Sequence, residues 1–218
     1  MKKAITFSGQ SRFVRQGYET LKRNLYDFQE YDVFIHTWEG PLNKDCDLYK
    51  PKKIIIEPQK NVIPSTFINP SYEHFVHFSM FYSMKESLRL KQEYEKENNF
   101  KYDLVIRTRF DIGLETVICP ELYDLKKGVY SPNVCMNPSV ISDWFNFSDS
   151  ETIDLYSELY DNMTDYHKKG VKITAGEAII THMLDTKNIP IKKIKSELFL
   201  LRDRSIHLRL SPYWKYAN

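Results

Sequence analysis

The chain has 218 residues, 42% hydrophobic and 14% aromatic, enough to bury a sizeable core in a single compact unit. Lys and Arg number 31 against 29 Asp and Glu, and this near balance of +2 argues against nucleic acid as the main partner. Cys46, Cys119 and Cys135 lack the spacing of a zinc site or redox motif, the N-terminal MKKAITFSGQ is too short for a signal-peptide core, and no apolar run spans a bilayer, so a cytoplasmic protein with free thiols is expected.

Ala4 to Phe7 reads as a short buried strand, and SGQSR as the turn after it. Val14, Tyr18, Leu21, Leu25 and Phe28 then recur at helical steps. Strands are expected at Tyr31 to Thr37 and at Lys52 to Glu57, the second bounded by Pro51 and Pro58. Prolines at 58, 64 and 70 predict an irregular loop up to Tyr72, lying over the sheet's ligand edge as a lid. From about His77 to Asn98 the pattern is helical, with Phe81, Met84 and Leu88 on one face. It leads into YDLVIRTRFDI, residues 102 to 112, an apolar strand that ends in Arg107, Arg109 and Asp111.

Beyond Pro120, a short strand is expected around Val129 and Tyr130, followed by the apolar segment ISDWFNF at 141 to 147. Ser148 with Glu151, and Thr174 with Glu177, have capping-box spacing ahead of two helices. Ile189 to Ile194 reads as a late strand. The basic residues Lys192, Lys193, Lys195, Arg202, Arg204 and Arg209 suit either a solvated face or a patch for diphosphate or anionic lipid, which would allow peripheral membrane contact.

Strand and helix alternating through the first 110 residues predict an α/β fold, with a Rossmann-like, mostly parallel sheet flanked by helices. Ligands of such sheets bind outside the carboxyl ends of the strands, where Arg107, Arg109 and Asp111 fall. Two arginines and an aspartate there suit a diphosphate with a divalent metal. GxGxxG and GxxxxGK[ST] are both missing, so phosphate must be held in another way.

The segments ITFSGQSR, YDVFIHTW, YDLVIRTRFD, ISDWFNF and TAGEAIITHML, in this order and spacing, resemble small GT-A fold glycosyltransferases. These enzymes occur in capsular or surface polysaccharide clusters and in large viruses that glycosylate their own capsids. The resemblance covers most of the chain. It implies one domain over 1–218, with a nucleotide-sugar half to about 112 and an acceptor half beyond it. The implied activity moves a sugar from a nucleoside-diphosphate sugar to a hydroxyl of a glycan acceptor, carried on lipid or protein, with Mn²⁺ or Mg²⁺. Where the family usually has Asp-any-Asp, this chain has Arg109-Phe110-Asp111. Either Asp111 holds the metal beside phosphate oxygens and water, or the arginines supply part of the charge directly.

The resemblance also makes Asp143 the first candidate base for an inverting transfer, with Glu177 second, and His207 a late metal ligand. Ser8, Gly9, Gln10, Ser11 and Arg12 are candidate nucleotide contacts at a helix N-terminus, though a plain capping turn uses the same residue types. Lys85 either reaches the nucleotide or solvates its own helix, and Trp38 either stacks on base or sugar or belongs to the core. The rival readings are a nucleotidyltransferase making an activated sugar and a non-catalytic glycan- or nucleotide-binding module.

Overall fold

The computed structural model describes residues 1–133 and 139–201. The first half alternates as expected: β1 (Lys3–Gln10), α1 (Val14–Asn24), β2 (Tyr31–Trp38), β3 (Lys53–Glu57), α2 (Tyr72–Glu97), β4 (Leu104–Thr108) and β5 (Ile112–Leu114). The second half adds β6 (Val129–Pro132), β7 (Phe145–Ser148), α3 (Ser150–Asp154), α4 (Leu159–Lys168), α5 (Gly176–Thr186), β8 (Ile191–Ile194) and β9 (Leu198–Leu200). Seven strands form one mixed sheet in the order β3-β2-β1-β4-β7-β6-β8, and β5 pairs with β9 in a separate ribbon. β1 runs parallel to both β2 and β4, while β7 is antiparallel to β4 and β6. The α/β, mostly parallel, Rossmann-like sheet is therefore the observed architecture.

The central strands are buried on both faces, because helices cover each side of a parallel sheet. Along β1, Ala4 faces the core beneath α2 with Phe34, Phe78, Phe81, Met84 and Leu88. Its neighbours Ile5 and Phe7 face the opposite core beneath α1, with Val14, Leu21, Val33, Ile35, Leu104 and Ile106. This alternation follows the period of two along a strand. α1 approaches the chain closely: a Cβ added at Gly17 would stand 2.1 Å from the Phe110 carbonyl oxygen.

Local chemistry moved several boundaries. α2 starts at Tyr72 rather than near His77, because Ser71 caps it: Ser71 Oγ accepts from the His74 N–H at 3.3 Å, and the Ser71 N–H donates to His74 Nδ1 at 2.9 Å. Neither expected capping box formed. Asp149 caps α3 by accepting from the Thr152 N–H at 2.8 Å, and α5 opens at Gly176 with no side-chain cap. The loop from Pro58 to Ser71 has no regular structure, as expected, but it is anchored. Phe67 packs on Phe78, and the Tyr160 hydroxyl donates to the Val62 carbonyl at 2.6 Å. Cys46 and Cys119 are free thiols, while Cys135 lies outside the described residues.

Candidate active site at the β1–β4 crevice

Strand order runs outward from β1 through β2 to β3 on one side and begins with β4 on the other, so the topological switch point lies between β1 and β4. A cleft of about 390 Å³ opens at the carboxyl ends of these strands. β1 contributes Ser8, Gly9 and Gln10, and the turn after it Arg12. Trp38 comes from the end of β2, Gln59 from just beyond β3, and Arg107, Arg109 and Asp111 from the end of β4. Asp143 closes the second-half side, and the first turns of α2 add Tyr72, Phe75, Val76, His77, Ser79 and Met80.

β4 ends at Thr108, and this break separates the two arginines. Arg107 is still in the strand, with no exposed surface, and its Nη1 donates to the Asp143 carbonyl. Its Nε and Nη2 have no hydrogen-bond partner although the residue lines the cleft. Burial lowers the Arg107 guanidinium to about 10, against the opposing pull of Asp143. Arg109 lies past the strand and turns onto Asp111, with Nε to Oδ1 and Nη2 to Oδ2 both at 2.9 Å. The two arginines are two residues apart but do not share a strand face. Phe110 between them is buried, with its ring stacked on Phe7 at 5.0 Å.

Both Asp111 oxygens are held in the Arg109 fork, and among the described residues no group of three or more His, Cys, Asp or Glu is placed to hold a metal ion. As placed, a divalent cation would have to compete with Arg109 for the Asp111 carboxylate. His207 lies outside the described residues, as do Arg202, Arg204 and Arg209.

Asp143 and Glu177, proposed from sequence as alternatives, are neighbours. Asp143 acts electrostatically on the Glu177 carboxyl, and a Cβ on the adjoining Gly176 would stand 3.0 Å from Asp143 Oδ2. Burial first, and then the charge of Asp143, raise the Glu177 carboxyl above its ordinary range. Asp143 is 7% exposed, and its Oδ1 has no hydrogen-bond partner. A carboxyl raised in this way is the readier to hold a proton and act as a donor.

Sequence reading missed His77. Its Nδ1 lies 2.9 Å from the Glu73 carbonyl, an acceptor only, so Nδ1 is the donor. It lines the cleft with Asp143 and interacts electrostatically with Glu177. The only hint in the sequence was its place in the first turns of a helix that abuts the ligand edge. Lys85 goes the other way. Its ammonium is 2.7 Å from both oxygens of Asp161 on α4, and it does not line the cleft. Trp38 is a buried core residue stacked on Tyr82 at 5.6 Å, as its core reading had it, and it also forms part of the cleft wall.

Beneath the β1 end, His36 Nε2 is 3.0 Å from Glu57 Oε1, and its Nδ1 is 2.8 Å from Ser83 Oγ. The neutral tautomer suited to that carboxylate carries its proton on Nε2. The Gly9 N–H donates to Ser83 Oγ at 2.6 Å. Ser83 is fully buried, so this Glu-His-Ser chain fixes the cleft floor rather than presenting a nucleophile.

No protein-family model matches the chain. A curated maturase K of Impatiens capensis is 35% identical over 79 residues, 36% of this chain but 15% of that protein, a stretch that establishes no family. Among solved structures, a glycosyltransferase involved in the glycosylation of the major capsid of PBCV-1 overlays at a TM-score of 0.47 with 9% identity, covering 89% of this chain and 82% of that one. A likeness at that level assigns no activity, and what the cleft can do rests on its own residues.

Proposed function

We infer that this chain is a glycosyltransferase that moves a sugar from a nucleoside-diphosphate sugar to a hydroxyl of a glycan acceptor. One observation carries this reading: a buried guanidinium with two unpartnered nitrogens and the Asp143 carboxyl, with Glu177 beside it, converge on a single cleft at the sheet's switch point. Transfer of a glycosyl group needs both ends of that arrangement. Positive charge must meet the departing diphosphate, and a base must receive the acceptor proton.

In this reading Arg107, with Arg109 and the exposed Arg12, binds the diphosphate. Ser8, Gly9 and Gln10 line the nucleotide side. Asp143 accepts the acceptor's proton for an inverting transfer, while Glu177 keeps its own proton and orients Asp143. Arg107 holds the Asp143 main chain, so the two ends of the cleft are mechanically joined.

The test is diphosphate release from a panel of nucleoside-diphosphate sugars with a mixed glycan acceptor. One donor is expected to turn over. Asp143→Asn should then lower kcat by about 10² or more at unchanged donor affinity, the size of a lost general base. If no donor in a complete panel releases diphosphate, the reading falls.

A further inference from the structure

We propose that the diphosphate's charge is met by the arginines of this chain, and that the Arg109–Asp111 pair is a latch opened by the diphosphate rather than a metal site. This rests on the glycosyltransferase reading above and adds how its leaving group is stabilised.

Asp111 is 3% exposed, and both of its oxygens are occupied by one planar guanidinium. A divalent cation could reach that carboxylate only by breaking the bidentate pair. It would then stand beside the displaced Arg109 and the buried Arg107, two like charges in a partly dry cleft. A diphosphate needs no such step. It offers oxyanions of the same geometry as the carboxylate, so Arg109 exchanges one bidentate acceptor for another. Arg107 is the fixed partner, with Nε and Nη2 already desolvated and lacking a protein acceptor.

The turn carrying the latch is held from both sides, by Phe110 stacked on Phe7 and by the Phe110 carbonyl against Gly17. Opening therefore moves the Arg109 side chain, which is 22% exposed, and leaves the backbone in place. Before diphosphate binds, Asp111 acts as a positioning residue that keeps Arg109 at hand.

The experiment measures binding of UDP, GDP, CDP and dTDP to the full chain by calorimetry, in EDTA and in Mn²⁺. We expect one diphosphate to bind in EDTA, with Mn²⁺ changing Kd by less than about threefold, and Arg109→Gln to weaken it about tenfold or more, the usual consequence of losing a charged hydrogen-bond pair. Asp111→Asn should leave Kd within about threefold or tighten it, because the competitor for Arg109 is gone. Binding seen only with Mn²⁺, and lost in Asp111→Asn, would overturn the latch while leaving the transferase reading intact. Binding of none of the four in either buffer would sink the transferase reading, and the latch with it. The EDTA and Mn²⁺ arms use the unaltered protein, so the comparison stands even if a variant fails to fold.

Discussion

At the residue scale, the pair Asp143 and Glu177 has an asymmetry that can be measured. Glu177 is pushed up by burial and by Asp143, so it holds its proton to higher pH than an ordinary glutamate. Glu177→Gln keeps a hydrogen-bond donor and should hold kcat within about threefold of wild type, whereas Asp143→Asn removes the base. As pH rises through the elevated Glu177 value, the wild-type pair loses its shared proton and Asp143 loses its orienting donor. The rate profile should therefore carry, above the ordinary glutamate range, a step that Glu177→Gln lacks. Equal losses of kcat in the two variants would reverse the roles. The sequence offered both carboxylates, but nothing in a spacing of 34 residues says that they touch. Their contact depends on where α5 begins, and the expected Thr174–Glu177 capping box placed Glu177 in a different local role.

At the scale of elements, Gly17 decides how close α1 lies to the site. On an exposed helix, Gly to Ala gains up to about 1 kcal/mol. Here the new Cβ would meet the Phe110 carbonyl oxygen at 2.1 Å and the Tyr49 hydroxyl at 3.3 Å, so overpacking, at about 1–3 kcal/mol, should win. Gly17→Ala is predicted to lower the melting temperature and to weaken diphosphate binding, although Gly17 does not line the cleft. A raised melting temperature with intact binding would refute this. Strands and amphipathic helices were legible because periodicity reports burial directly, and β1, β2, β3, β8 and most of α2 fall where the pattern put them. The end of β4 was not legible. RTRFD continues the alternation of a strand, yet the strand stops at Thr108, and only tertiary packing of Phe110 on Phe7 turns Arg109 away from Arg107.

At the scale of the whole molecule, two histidines tie stability to pH. Burial holds His36 below its ordinary value of 6.5, with Glu57 pulling the other way. Burial and then the neighbouring His167 lower His74, whose Nδ1 must stay unprotonated to accept the Ser71 N–H. A depressed folded value means that the unfolded chain takes up the proton first. The stabilisation is therefore complete above 6.5 and lost as pH falls through the folded values. The urea midpoint should drop between about pH 7.5 and 5.5, and less so in His36→Gln, which starts from a lower midpoint. A flat or rising midpoint would contradict the burial argument. Glu177, raised in the fold, works in the opposite sense, being stabilised by acid, and tempers the loss at the low end.

The ribbon of β5 and β9 has a consequence for biosynthesis. Ile112 pairs with Leu200, and the Leu201 N–H donates to the Asp111 carbonyl at 2.9 Å, so residues some ninety positions apart are stitched together beside the latch. A nascent chain can build β1 through β4 early, with the arginines already in the polypeptide. The backbone of Asp111 gains this tether only after residue 201 has left the ribosome, so the rim of the cleft is finished late.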